Sequence, residues 1–398
     1  MTGPGVPIAD SQYPDFGRVR RAMLRHGEGD RVPLFEMSVH GVHKAAILGR
    51  PVSTLQDEVD FWRAAGYDFV STRAGVRSVV RGYHPAVRAW RAAQGQGRGA
   101  GGWVAEEAAL IGDRRDFEAF PWPAPEALGG YPDYDDLDGY LQAMAGLLPV
   151  GMKLLVQIGY VFMGAWQLLG FENYCLKLAD DADLIRDVHD WLGASQLAVL
   201  EMLLQYDCVG TVWLPDDLCY NSGPVVSPEV YRRYVYPWYR KIVARCHRAD
   251  VPVGLHSDGD LGRLLPDLVG CGFDAIHPFE PPMNDIVAAK QRWGDRIAVA
   301  GGIDLKGTLC EGTPADVEAA VRARVAALAP GGGWLLGSSN SIPDFVPVEN
   351  YRALLVAGLQ YGDYKRQHNQ YPIANTQYPI SDTQYSTFTL EERGHDPR

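Results

Sequence analysis

The segment richest in reactive side chains is His256-Ser-Asp258-Gly. In an extended chain residues i and i+2 share a side, so His256 and Asp258 are expected to reach one metal ion, one water or one substrate atom. Imidazole nitrogen and carboxylate oxygen are ordinary ligands of zinc and other divalent ions, which makes His256 and Asp258 candidate metal ligands. The same pair suits acid–base chemistry, with Asp258 orienting His256 or accepting substrate hydroxyls. Upstream stands the paired carboxylate Asp216-Asp217. Neighbours on a strand face opposite sides, so at most one need face a pocket, and Asp217 is taken as that one. Glu36 is an acid in the apolar run VPLFEM, and Glu280 is another in HPFEPP. A carboxylate in such a run either stands at a strand mouth or is buried with a partner. The expected catalytic set is therefore His256, Asp258, Asp217 and Glu36. Glu280, Arg73, Gln157, Tyr220 and Asn340 are the expected substrate-binding groups.

These residues share a place in the pattern of the chain. Short apolar runs at 32–37, 68–72, 154–158, 211–214, 253–256, 275–279, 297–300 and 334–337 read as strands. Amphipathic stretches at 54–65, 182–205, 228–249, 260–271, 313–329 and 348–359 read as helices. Ser53, Ser227 and Thr313 supply capping signals, and Pro228 and Pro314 sit near first helical positions. This alternation predicts an α/β fold, most economically a single (β/α)8 TIM barrel. An open doubly wound sheet would want a GxGxxG turn, which the sequence lacks. In a parallel barrel the chemistry sits at the carboxyl ends of the strands. Those ends carry Glu36 with His40 and His43 after it, then Ser71 and Arg73, then Gln157 and Tyr160. Asp216 and Asp217, His256 to Gly259, His277 and Glu280, Asp304, and Ser338 to Asn340 follow. Gly301-Gly302 and Gly331-Gly332-Gly333 are read as turns. Trp213, Tyr220, Phe279 and Phe345 are read as core aromatics before pocket lining.

Two segments interrupt the alternation. Residues 73–123, with the glycine-rich 95–102, are expected to form an inserted hairpin or flap. From residue 365 the apolar period stops, and Gln-Tyr-Pro recurs at 370 and 377. Proline in each repeat excludes a coiled coil, so 365–398 is expected to be an extended or disordered tail. The expected organisation is an arm over 1–17, a barrel over 18–364 and that tail.

Composition narrows the function. The chain has 398 residues and a formal charge of −12, with no basic block. Nucleic-acid and anionic-membrane binding are therefore not expected. No run of 18 apolar residues and no signal-like start is present, and six cysteines stand scattered without a CxxC pair. A cytoplasmic, reduced protein with buried thiols is expected.

The stretches 216–243, 254–281, 290–325 and 331–354, which include DDLCYNSGPVVSPE, GLHSDGDLGRLLPDLVG, IAVAGGIDLKG and GGGWLLGSSNS, resemble the uroporphyrinogen decarboxylase (URO-D) superfamily. RVPLFEMSV and GYDFVSTR resemble it more loosely. The resemblance implies a (β/α)8 barrel. True uroporphyrinogen decarboxylases receive substrate carboxylates on an arginine-rich segment near the N-terminus. Here the matching strand carries Glu36, which disfavours a polycarboxylate in an acidic chain. The other branch resembles methyltransferases that move methyl groups to or from corrinoid proteins or thiols. Those bind zinc through His-x-Cys and a later Cys. This chain places His256, Asp258 and Asn340 (or its neighbour Ser339) at those positions. The resemblance thus implies one of two centres. One is an oxygen-rich Zn2+ or other divalent site of His256 and Asp258 with Glu36 or Glu280. The other is a metal-free centre that hydrogen-bonds a small substrate. The expected function is a methyltransferase-like enzyme moving a methyl group from a small methylated compound to a corrinoid on a partner protein, or to another carrier. The alternative is a cofactor-free decarboxylase or lyase on a small carboxylated substrate anchored by Arg73. A homodimer is a further expectation.

Overall fold

The computed structural model describes residues 13–93, 109–124, 127–128 and 136–365. Nine strands lie among them. They are β1 (Phe69–Arg73), β2 (Lys153–Gln157), β3 (Val209–Pro215), β4 (Cys219–Tyr220), β5 (Gly223–Pro224), β6 (Val253–His256), β7 (Ala275–His277), β8 (Ala298–Ile303) and β9 (Trp334–Ser338). Seven form one parallel sheet in the order β1-β2-β3-β6-β7-β8-β9, and β4-β5 is a two-stranded hairpin after β3. Helices lie between successive strands of the large sheet, among them Ala182–Leu203, Tyr236–Arg248 and Pro314–Leu328, and Val348–Tyr361 follows the last strand. The strands are buried almost throughout, as a parallel sheet covered by helices requires. Phe35, Trp213 and His277 meet inside the curl of the sheet, with ring centroids 4.7 Å apart for Phe35–Trp213 and 5.2 Å for Phe35–His277.

The run 32–37 departs from its reading as a strand. It is extended and lies beside β9, where Phe35 N–H donates to Leu336 and Leu336 N–H to Pro33. Within it only Leu34 makes an isolated bridge, to Leu336, with two more just outside it at Arg31 and Val39. Pro33 has no N–H to give to a ladder. On its other side the Met37 carbonyl accepts from Ser71 Oγ and Gln157 Nε2, each at 2.7 Å, which ties the run to the ends of β1 and β2.

The described part of 73–123, where a hairpin or flap is expected, carries helices Arg77–Val80, Pro85–Ala93 and Arg114–Ala119, and no strand beyond the end of β1. PAVRAWRAA is built of helix formers with apolar residues on one side, and Val87 is buried. Residues 94–108, with the glycine-rich run, lie outside the described residues, as do the tail beyond Lys365 and most of the expected arm. Gly301 and Gly302 belong to β8, not to a turn, both with positive φ. Gly331 to Gly333 do make the expected turn. The expected helix 228–249 forms with a π-helical stretch at Tyr231–Val235, and that at 260–271 begins only at Leu265. All six cysteines are free; Cys219, Cys246 and Cys271 are buried, whereas Cys175 is exposed.

At the amino end of β1, Asp68 is buried between Arg18 Nη1 at 2.8 Å and Arg31 Nη2 at 3.0 Å, and accepts Asp15 N–H. This pairing ties the first helix, Phe16–Met23, to the sheet at the end opposite the carboxyl-end cluster described below.

Candidate active site

β3 and β6 pair with Pro215 opposite His256, and β6 and β7 pair with His256 opposite His277. That register brings three strand ends together. Asp217 follows β3, His256 ends β6 and Asp258 stands two residues on. His256 Nε2 lies 3.7 Å from Asp217 Oδ1 and 3.5 Å from Asp258 Oδ1. Asp258 N–H donates to Asp217 Oδ1 at 3.1 Å. Ser257, between the two, points the other way and is buried, its Oγ accepting Leu218 N–H at 2.9 Å. The i, i+2 reading of His256 and Asp258 thus has a structural counterpart: alternation turns both toward Asp217 and Ser257 into the loop packing.

Gly259 and Gly301 make room for this arrangement. Gly259 has φ +82, and a Cβ there would stand 2.5 Å from the Cys219 carbonyl oxygen. Gly301 has φ +93, and its Cβ would stand 2.7 Å from the Ser338 carbonyl and 3.2 Å from His277 Cδ2. Only glycine allows both the backbone angle and the close approach.

The two histidines are stacked, with Nδ1 to Nδ1 2.7 Å apart. His277 is fully buried, and its Nε2 lies 3.3 Å from the Ser338 carbonyl. Burial, reinforced by His256, holds His277 well below the usual histidine range, so it is neutral. Asp258 Oδ2 accepts Asn340 Nδ2–H at 2.8 Å, while its buried Oδ1 accepts no hydrogen bond. Burial pushes Asp258 up to about 6, with Asp217 and Glu280 adding repulsion and His256 and Asn340 opposing it. Glu280 is raised by its partial burial and accepts Gly259 N–H at 3.3 Å. The side chains of His256, Asp258 and Asp217 keep 13, 27 and 35% of their surface exposed, so the cluster opens to solvent.

The other expected residues divide. Asn340 joins the cluster through Asp258, and Glu280 through Gly259. Glu36 does not touch His256. It is wholly buried, accepting Ser338 N–H on Oε1 and Ser338 Oγ–H on Oε2, each at 2.7 Å. Burial pushes it up to about 8 against those two donors. Arg73 and Gln157 face each other across β1 and β2, with Arg73 Nε 3.4 Å from Gln157 Oε1. Gln157 is spent on Met37 and Ser71, and Tyr160 accepts Arg77 Nε–H at 3.0 Å. Tyr220 is exposed on the β4–β5 hairpin, and its carbonyl accepts Asp260 N–H. His40 caps the helix Gly41–Leu48, and buried His43 bonds the Pro343 carbonyl. Asp304 caps the turn after β8. Trp213 and Phe279 are buried, whereas Phe345 is exposed.

Asp216 turns away from its neighbour Asp217. It accepts Val161, Phe162 and Met163 N–H and Tyr239 Oη–H, at 2.7 to 2.8 Å. It closes the N-terminus of the helix Phe162–Leu169, which satisfies donors that a helix start leaves unpaired. His277 and Ser338 are the partners that strand-end reading did not single out. Their one signal was position, since both end strands of the large sheet.

Asp217, His256 and Asp258 each offer one ligand atom, all within 4.8 Å of one another. Imidazole with two carboxylates suits a divalent ion. The unpartnered, buried Asp258 Oδ1 and the hydrogen bond on the far nitrogen of His256 agree with that use, because ligating histidines are ordinarily anchored through their second nitrogen. The residues present therefore fit a cation without any thiolate.

Comparison with known proteins agrees with the fold. A family model described as Uroporphyrinogen decarboxylase (URO-D) matches residues 126–360. No curated protein matches the chain. A solved structure, a methyltransferase from Methanosarcina mazei, is similar with a TM-score of 0.63 at 16% identity, over 88% of this chain and 99% of the other.

Proposed function

The chain belongs to the uroporphyrinogen decarboxylase family, and from that premise we propose a methyltransferase-like enzyme that takes a methyl group from a small methylated compound. The acceptor in this reading is a corrinoid on a partner protein or another methyl carrier. The observation that carries it is the convergence of Asp217, His256 and Asp258 on one solvent-open point at the carboxyl ends of the strands. The likeness to a methyltransferase over nearly the whole of both chains supports the branch. The reading takes residues 32–37 as the eighth stave of a (β/α)8 barrel, with the centre at its mouth.

A divalent cation held by His256 Nε2, Asp217 and Asp258 would supply Lewis acidity toward the heteroatom that carries the methyl group. The chain's own groups do the rest. Asn340 holds Asp258 by one oxygen and leaves Oδ1 free to bind. Glu280, half-buried and held by Gly259 N–H, is the candidate polar contact for the substrate beside the centre. Arg73, at the end of β1, is the candidate anchor for an anionic group of the substrate.

Elemental mass spectrometry of the purified chain, beside a His256→Ala/Asp258→Ala double variant, tests the reading. About one divalent ion per chain, absent from the variant, is expected, together with methyl transfer to a corrinoid acceptor that the variant does not support. Protein that neither carries nor takes up a divalent ion overturns the cation centre. Carbon dioxide release from small carboxylic acids, without methyl transfer, would replace the reading with a decarboxylase.

A further inference from the structure

We propose that His277 is a positioning residue. By accepting the Nδ1 hydrogen of His256 while giving its own hydrogen to the Ser338 carbonyl, it fixes the His256 tautomer that turns the Nε2 lone pair toward Asp217 and Asp258. The inference rests on the reading of Asp217, His256 and Asp258 as the working centre and names what orients it.

What each atom can offer fixes where the protons lie. A carbonyl oxygen has only lone pairs, so the nitrogen bonded to it must carry a hydrogen. His277 Nε2 stands 3.3 Å from the Ser338 carbonyl and is therefore the protonated nitrogen. A neutral imidazole has one such hydrogen, which leaves His277 Nδ1 as an acceptor. His256 Nδ1 lies 2.7 Å from it and must donate. This holds whether His256 is neutral or an imidazolium, since Nδ1–H is present in both. What changes between the two forms is Nε2, the nitrogen that faces Asp217 and Asp258.

Without His277 the preference would reverse. Two carboxylates within 4 Å of Nε2 draw a hydrogen onto that nitrogen. A neutral His256 would then present Nε2–H to the carboxylates and its lone pair to the interior, so a cation could bind only after a tautomer change. The Ser338 carbonyl is itself held, because Glu36 accepts both Ser338 N–H and Ser338 Oγ–H. A Cβ at position 301 would stand 3.2 Å from His277 Cδ2, so the glycine there leaves the ring its place.

The test uses the full chain labelled with 15N-histidine. Two-bond proton–nitrogen correlations report which ring nitrogen is protonated, and a His256→Gln variant assigns the resonance. The expected pattern for neutral His256 is a hydrogen on Nδ1 and a bare Nε2. In parallel, zinc affinity is measured by competition with a chromophoric chelator. His277→Phe fits beside Phe35 and Trp213 but accepts no proton, and is expected to bind zinc about 10- to 100-fold more weakly. His277→Asn places an acceptor oxygen near the lost Nδ1 and is expected to recover most of that loss. Near-ultraviolet circular dichroism checks that both variants are folded. A neutral His256 protonated on Nε2, or a folded His277→Phe variant with unchanged zinc affinity, overturns the proposal. If the wild-type chain binds no zinc yet shows the expected protonation, the positioning role stands and the cation reading falls.

Discussion

Glu36 offers the sharpest test of the electrostatics, because its burial and its partners make opposite demands. The carboxyl is wholly buried, and burial raises it from 4.5 to about 8 even with two donors from Ser338. A group with a raised folded pKa binds more protons folded than unfolded. Its contribution to stability is therefore present below about 4.5 and is lost as pH rises through about 8. Each tenfold difference in proton affinity between the folded and unfolded chain corresponds to about 1.4 kcal/mol, so the loss between about pH 5 and pH 8 amounts to roughly 3 kcal/mol. Glu36→Gln removes the titration and keeps the shape. The glutamine oxygen can accept Ser338 N–H, and its amide can donate to Ser338 Oγ once that hydroxyl rotates. Urea unfolding of both proteins at a series of pH values measures the difference. The variant is expected to gain on the wild type as pH rises, by roughly 3 kcal/mol over that window. A difference that is flat, or that favours the wild type at high pH, would mean that Ser338 stabilises the ionised carboxylate more than burial penalises it. Glu36 would then be a buried charge near the centre instead of a neutral brace for Ser338.

Three further outcomes follow from the same geometry. Asp216→Ala strands Val161, Phe162 and Met163 N–H and Tyr239 Oη–H; with about 1–3 kcal/mol for each unmet buried donor, less the relief of removing a buried carboxylate, a loss of roughly 3 kcal/mol is expected in urea unfolding. Asp217→Asn and Asp258→Asn should each leave the unfolding midpoint near that of the wild type yet weaken zinc binding more than about tenfold, read by isothermal titration calorimetry; equal affinity would remove that carboxylate from the ligand set. Gly259→Ala forces a Cβ toward the Cys219 carbonyl at positive φ, so a loss of about 2 kcal/mol or more is expected, with faster amide exchange in the β4–β5 hairpin.

How far the sequence foretold this depended on whether a feature is local. Parallel strands buried on both faces are apolar runs, so seven of the eight expected strands occupy the large sheet near their expected bounds. The run 32–37 fails as a ladder strand at Pro33, whose missing donor is visible in the sequence itself. Helix formers in the 73–123 segment are obscured by the glycine-rich run beside them. Alternation carried past the end of β3 sets Asp216 and Asp217 on opposite sides, but the reason Asp216 faces inward lies in another helix start, Phe162–Leu169, which spacing cannot reveal. His277 is legible only as a strand end. Its importance comes from standing opposite His256 in the β6–β7 register, a property of pairing between strands distant in sequence.

The centre's charge explains why those pairings matter. Asp217 and Asp258 crowd one imidazole nitrogen, and Glu280 adds to the repulsion on Asp258. Backbone and side-chain donors answer part of it. Asp217 receives Asp258 N–H, Glu280 receives Gly259 N–H, and Asp258 receives Asn340. Asp258 Oδ1 receives none, and a buried carboxylate oxygen without a donor is costly. A divalent cation there would relieve it with two positive charges, matching the two carboxylates. Such a cation would need a bare Nε2, and the His256–His277–Ser338 chain of contacts meets that condition by holding the hydrogen on Nδ1. The same oxygen-rich donor set is harder than a thiolate set, so a cation held there would favour oxygen or nitrogen over sulfur as a further ligand.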